Sequence, residues 1–120
     1  MEFKNRIELR GVVGKADINT VNGSRVCNFS VVTEYNAGRD KETNGSVNET
    51  HWFNVVAWDG RNSLPLEQIR KGEWVEVIGR LRTRHYRNQN EEERYITEVV
   101  ARSVKLVPKE EERIQPQRDW

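Results

Sequence analysis

The sequence predicts an all-β fold in which five strands close into a small Greek-key barrel with one short helix between the third and fourth strands. Three observations point there. Apolar residues alternate with polar ones over five separate stretches, the period of a strand with one face buried. Turn residues punctuate the stretches. Only residues 62–71 combine a capping residue, a proline at the start and a glycine at the end in the manner of a helix.

Asn5 to Lys15 reads as the first strand, since Ile7, Leu9 and Val13 alternate with polar or small residues. Gly11 and Gly14 interrupt it, and a glycine within a strand often marks a bulge or a bend where a barrel coils. Val21-Asn22-Gly23-Ser24 is a hairpin signal, so Arg25 to Tyr35 returns as the second strand. Asn36 to Glu49 has no apolar periodicity, two glycines and mixed charge, which predicts a long mobile loop. Thr50 to Trp58 is the third strand, with Phe53, Val55 and Ala57 on one face and Trp52, Asn54, Val56 and Trp58 on the other. A helix is expected over Asn62 to Lys71, capped by Asn62 or Ser63, with Pro65 in its first turn, Leu66 and Ile69 on one side and Gly72 ending it. Trp74 to Tyr86 and Arg94 to Val107 supply the last two strands, joined by the polar loop Arg87 to Glu93. This order is that of an OB-fold with long β-hairpin loops, an architecture that often binds oligonucleotides. It places one domain over residues 1–107 and leaves 108–120 as a polar, disordered tail.

The chain has 120 residues, 35% of them hydrophobic and 32% charged, with a formal net charge of +1. A charge so close to zero does not by itself mark a nucleic-acid binder. The positive charge is regional, however: Ile78 to Arg87 carries Arg80, Arg82, Arg84 and Arg87 and no acid. Fields decay over about 8 Å at physiological salt, so such clustering outweighs the total. The single cysteine, Cys27, excludes an intrachain disulfide and fits a reducing compartment. No apolar run approaches the roughly 18 residues of a membrane span, and the first residues lack a signal-peptide core, so a cytoplasmic protein is expected.

Unpaired bases expose two π-faces, which flat aromatic rings bind with little regard to sequence. Tyr35, Trp52, Trp58 and Tyr86 are the candidates for such stacking. Trp52 and Trp58 lie six residues apart on one face, about 20 Å at about 3.3 Å per residue, which suits several nucleotides better than one small ligand. Burial in the core is the competing role for any such ring, and Trp74 is assigned to it. Arg80, Arg82 and Arg84 emerge on one face at about 7 Å intervals, with no paired acid legible at matching positions. Guanidinium groups so spaced match a phosphate chain and can also stack on bases. Lys4, Arg6 and Arg10 repeat the parity on the first strand, broken by Glu8, while Arg39 and Lys41 stand in the long loop where they could close over a bound strand. Cys27, His51 and His85 lack the paired spacing of a metal site, and no phosphate-cradling glycine loop or isolated carboxylate pair is present, so neither cofactor nor enzymatic activity is expected.

These residues together resemble the bacterial single-stranded DNA-binding proteins over residues 3–107. The matching stretches are NRIELRGVVG (5–14), VCNFSVVTE (26–34), THWFNVVAW (50–58), Arg70-Lys71-Gly72, GRLRTR (79–84) and RYITEVV (94–100). The resemblance implies base stacking at Tyr35, Trp52, Trp58 and Tyr86, a homotetramer in which the first strand helps to pair subunits, and roles in DNA replication, recombination and repair. The chain departs from the family at its end, where Glu110-Glu111-Glu112-Arg113 and IQPQRDW stand in place of a glycine- and glutamine-rich linker and an acidic tip closing on Pro-Phe. The resemblance thus leaves replication and repair proteins open as partners, although the usual acidic tip that docks them is not evident. Two other readings remain open on the residues: an OB-fold module that mainly holds a protein partner, and a small hydrolase or nuclease.

Overall fold

A computed structural model describes residues 1–60 and 64–108. Five strands, β1 (Ile7–Val21), β2 (Ser24–Arg39), β3 (Ser46–Trp58), β4 (Trp74–Arg87) and β5 (Glu93–Leu106), form a closed barrel in the order β1-β2-β3-β5-β4. Closure depends on β1 serving two neighbours, pairing with β4 over Ile7 to Val12 and with β2 from Val12 to Val21. The remaining closure is a short parallel contact between β3 and β5, Val55 with Val99 and Val56 with Val100.

The alternating apolar residues fill the interior as predicted. Val13, Val31, Val55, Val75, Val77, Val99 and Val104 are all within 1% of complete burial. Each such side chain contributes about 1.5–3 kcal/mol of transfer free energy, and β-branched residues also suit the pleated backbone. Gly11 and Gly79 sit where neighbouring backbones nearly touch: an added Cβ would stand 2.2 Å from the carbonyl oxygen of Val32 or Val100, respectively. A register break between Val13 and Lys15 makes Gly14 a bulge. The β1–β2 turn has both central residues at positive φ, Asn22 at 50° and Gly23 at 82°, the geometry that follows the strand twist.

Two expectations require correction. The expected helix reduces to a single 3-10 turn at Leu66–Gln68, preceded by Pro65, while the proposed caps Asn62 and Ser63 lie outside the described residues, as does the tail from 109 onward. The turn's apolar side behaves as expected, since Leu66 and Ile69 are buried and join the barrel core. The supposed long loop is mostly strand, for β2 and β3 stay paired out to Arg39 and Ser46. Only residues 40–45 turn, held by the Asp40 carboxylate, which accepts the backbone N–H groups of Glu42 and Thr43 at 2.7 and 3.3 Å. The β4–β5 hairpin closes in the same way on Asn88, whose side-chain oxygen accepts the N–H groups of Asn90 and Glu92 at 2.9 and 3.0 Å.

Candidate nucleic-acid interface

The Gly14 bulge determines how the most exposed tryptophan stands. Trp52 is 64% exposed on the outward face of β3, and a Cβ at Gly14 would lie 2.5 Å from its Cζ3 atom. The ring thus rests across bare backbone, supported on one side and open on the other. Trp58 shares its parity and is half-buried at the far end of the strand, so the row runs along the barrel wall as predicted.

The β4–β5 hairpin brings the cations. Its register sets Arg82 opposite Glu98, Arg84 opposite Ile96 and Tyr86 opposite Arg94, all on the outward face. Glu98 is only 3% exposed, and its Oε1 accepts hydrogen bonds from Nη2 of Arg82 and Nε of Arg84, each at 2.7 Å. The expectation of arginines without a paired acid is therefore corrected for these two. The sequence conceals the pairing because the acid lies on the next strand, 16 and 14 residues away. Burial pushes the Glu98 carboxyl upward, but the two guanidinium donors outweigh it and hold the group below its ordinary range. With its Nε committed, Arg84 is fixed in direction while its terminal nitrogens remain available.

Beside this pair a groove of about 240 Å³ is lined by Lys15, Asp17, Asn28, Asn54, Arg84 and Glu98 among others. It lies between the β1–β3 wall and the hairpin, with Lys15 and Asp17 from the wall, Arg84 and Glu98 from the hairpin, and the amides of Asn28 and Asn54. Tyr86, 45% exposed, extends the hairpin's outward row beyond Arg84.

The other predicted residues lie elsewhere. Arg80 occupies a separate cleft with Asn5 and Arg6 at the start of β1. Asn5 fixes that start, since its side-chain amide donates to the Leu81 carbonyl at 2.8 Å and accepts the Leu81 N–H at 2.9 Å. Lys4 is exposed beside it, and Arg6 pairs with Glu8 at 3.0 Å. Arg10 bonds Glu76. Arg39 and Lys41 are exposed at the tip of the β2–β3 hairpin. Tyr35, opposite Glu49, has the parity of core-facing Val31 and borders the opening where β1 leaves β2, so the structure does not set it in the Trp52 row.

Sequence reasoning passed over Asn28 and Asn54, whose outward parity on β2 and β3 was the available signal, and Lys15, which has the parity of core-facing Val13 and turns outward only through the Gly14 bulge. It also passed over Tyr95, which is 70% exposed and stacks on His85 with centroids 5.7 Å apart, on the hairpin's other face. Cys27 is sealed in the core, and burial, the larger effect, together with nearby Asp17 pushes its thiol up to about 11. Among the described residues, no group of three or more His, Cys, Asp or Glu side chains is placed to hold a metal ion.

An OB-fold barrel with an exposed ring beside a polar groove that carries Lys15 and Arg84 defines the class: an oligonucleotide-binding barrel. Residues 4–107 match the model of the single-strand binding protein family, and the chain belongs to that family. Among solved structures it is similar to the Plasmodium falciparum single-strand binding protein in complex with single-stranded DNA. That likeness has a TM-score of 0.70 and 30% identity, covering 90% of this chain and 98% of the other.

Proposed function

We propose that this protein coats single-stranded DNA irrespective of sequence, protecting it during replication, recombination and repair, with bases stacked on Trp52, Trp58 and Tyr86 and phosphates held by Arg84 and Lys15. The observation that carries the reading is the open indole of Trp52 over the Gly14 bulge, on the same wall as the groove that carries Lys15 and Arg84. Each stacked base is worth about 1–3 kcal/mol by truncation, so a few rings together overcome the cost of ordering the strand. Tyr35 joins this site from the barrel mouth, and Arg39 and Lys41 approach the strand from the hairpin tip. The protein binds and does not catalyse.

We further propose a cytoplasmic homotetramer. Before Val12, β1 pairs only with β4, and its other edge borders an opening of about 590 Å³ lined by Leu9, Val12, Val32, Phe53 and Trp74 among others. An unpaired strand edge beside apolar side chains suits the addition of a second copy. No described helix is long and apolar enough to cross a membrane.

The test is a titration of tryptophan emission with oligothymidine and with duplex DNA of equal length, with the assembly mass measured alongside. Saturable quenching by the single strand, weak response to duplex and the mass of a tetramer are expected. Equal response to duplex would refute the stacking of unpaired bases.

A further inference from the structure

The wall between the two tryptophans of β3 presents polar groups in a fixed order. Strand register sets Val32 beside Trp52, then Lys15, Ser30 and Asn54 in one row, Asp17, Asn28 and Val56 in the next, and Asn19 and Val26 beside Trp58. From the middle two rows, Lys15, Asp17, Asn28 and Asn54 line the groove of about 240 Å³ that Arg84 and Glu98 border from the β4–β5 hairpin. The groove thus lies between the rings.

Its two acids differ in kind. Glu98 is committed to Arg82 and Arg84, so its charge is compensated within the protein. The Asp17 carboxylate is exposed and, among the described residues, makes no ion pair or side-chain hydrogen bond. The exposed side-chain amides of Asn28 and Asn54 are likewise without a hydrogen bond among the described residues.

An uncompensated carboxylate repels phosphate, so a strand held on this wall keeps its backbone toward Lys15 and Arg84 and turns base edges toward Asp17. There the chemistry discriminates. An ionised carboxylate only accepts hydrogen bonds, whereas an amide both donates and accepts. An exocyclic amine, such as N4 of cytosine, therefore suits Asp17, while a carbonyl in the same place meets it lone pair to lone pair. Asn28, directly opposite Asp17, serves either edge by turning its amide.

We propose that Asp17 is a specificity-determining residue: it accepts the exocyclic amine of a base lodged in the groove between Trp52 and Trp58, and so favours cytosine there over a 4-keto pyrimidine. Every sequence is still coated, because the rings stack any base, and the groove adds a bias at one position per chain. This inference rests on the single-strand reading above.

The test titrates oligodeoxycytidine and oligodeoxyuridine of one length, just long enough to saturate the quenching, into the unaltered protein, Asp17→Asn and Asp17→Ser at neutral pH. The two bases share ring size and lack a methyl group, and they differ on the edge that the groove would read. The unaltered protein should bind the cytidine strand about fivefold more tightly, the low end of base discrimination by a side chain because the groove is open to water. Both variants should bring the two affinities within about twofold of each other. Any difference in stacking on the rings persists in the variants, so the change in ratio isolates the edge. A carboxylate that merely repels the backbone would, once removed, tighten both strands equally and leave the ratio where it was. That result, or equal affinity of the unaltered protein for the two strands, would overturn the assignment, and the second comparison needs no variant to fold. Absence of quenching by either strand in the unaltered protein would instead defeat the single-strand reading.

Discussion

Glu98 holds Arg84 by its Nε at 2.7 Å from a position almost closed to water, so the carboxylate fixes the direction of a guanidinium whose outer nitrogens face the groove. A buried acceptor stripped of its charge leaves Arg82 and Arg84 in mutual repulsion. Glu98→Gln should therefore lower stability at pH 7 by about 1–2 kcal/mol, below the figure for a sealed pair because both arginines are partly solvated. The folded carboxyl titrates below its unfolded range, so its contribution is complete above the unfolded pKa and is lost as pH falls through the folded one. Urea midpoints of the two proteins should differ at pH 7 and converge in acid.

Gly14→Ala separates the posture of a ring from its presence. The new methyl would meet the Trp52 ring, at 2.5 Å, and the Ser30 hydroxyl oxygen, at 2.9 Å, and an exposed ring can swing away. The variant should keep its thermal midpoint nearly unchanged while binding oligothymidine more weakly and showing shifted tryptophan emission. Gly11→Ala meets the Val32 carbonyl instead, at 2.2 Å, and backbone cannot swing. It should cost about 1–3 kcal/mol in a denaturation experiment.

Cys27 should be silent toward thiol reagents. With its thiol pushed up to about 11 and no exposed surface, almost none is thiolate at neutral pH. Labelling with a chromogenic disulfide should be slow in the native protein and rapid in denaturant; rapid native labelling would contradict the burial.

The barrel was legible because one face of every strand is apolar, and Leu9, Val31, Val55 and Val77 declare the period of two. The hairpin arms were not. From Asn36 to Glu49 the ribbon projects beyond the core, so backbone pairing and local polar side chains such as Asp40 hold it and no apolar alternation records it. The Glu98 pairing was hidden for a related reason, since register across strands is not written in either strand. Trp52 was legible because Phe53 and Val55 already account for the opposite face. Parity alone would also have offered Asn28, but a single amide on a strand resembles ordinary surface, and Lys15 turns outward only through the Gly14 bulge.

The most direct measurement is the affinity of Trp52→Ala for oligothymidine at fixed salt, followed by fluorescence anisotropy of a labelled strand. A loss of about 1–3 kcal/mol with an unchanged denaturation midpoint is predicted. Binding as tight as that of the unaltered protein would contradict the stacking of bases on this indole.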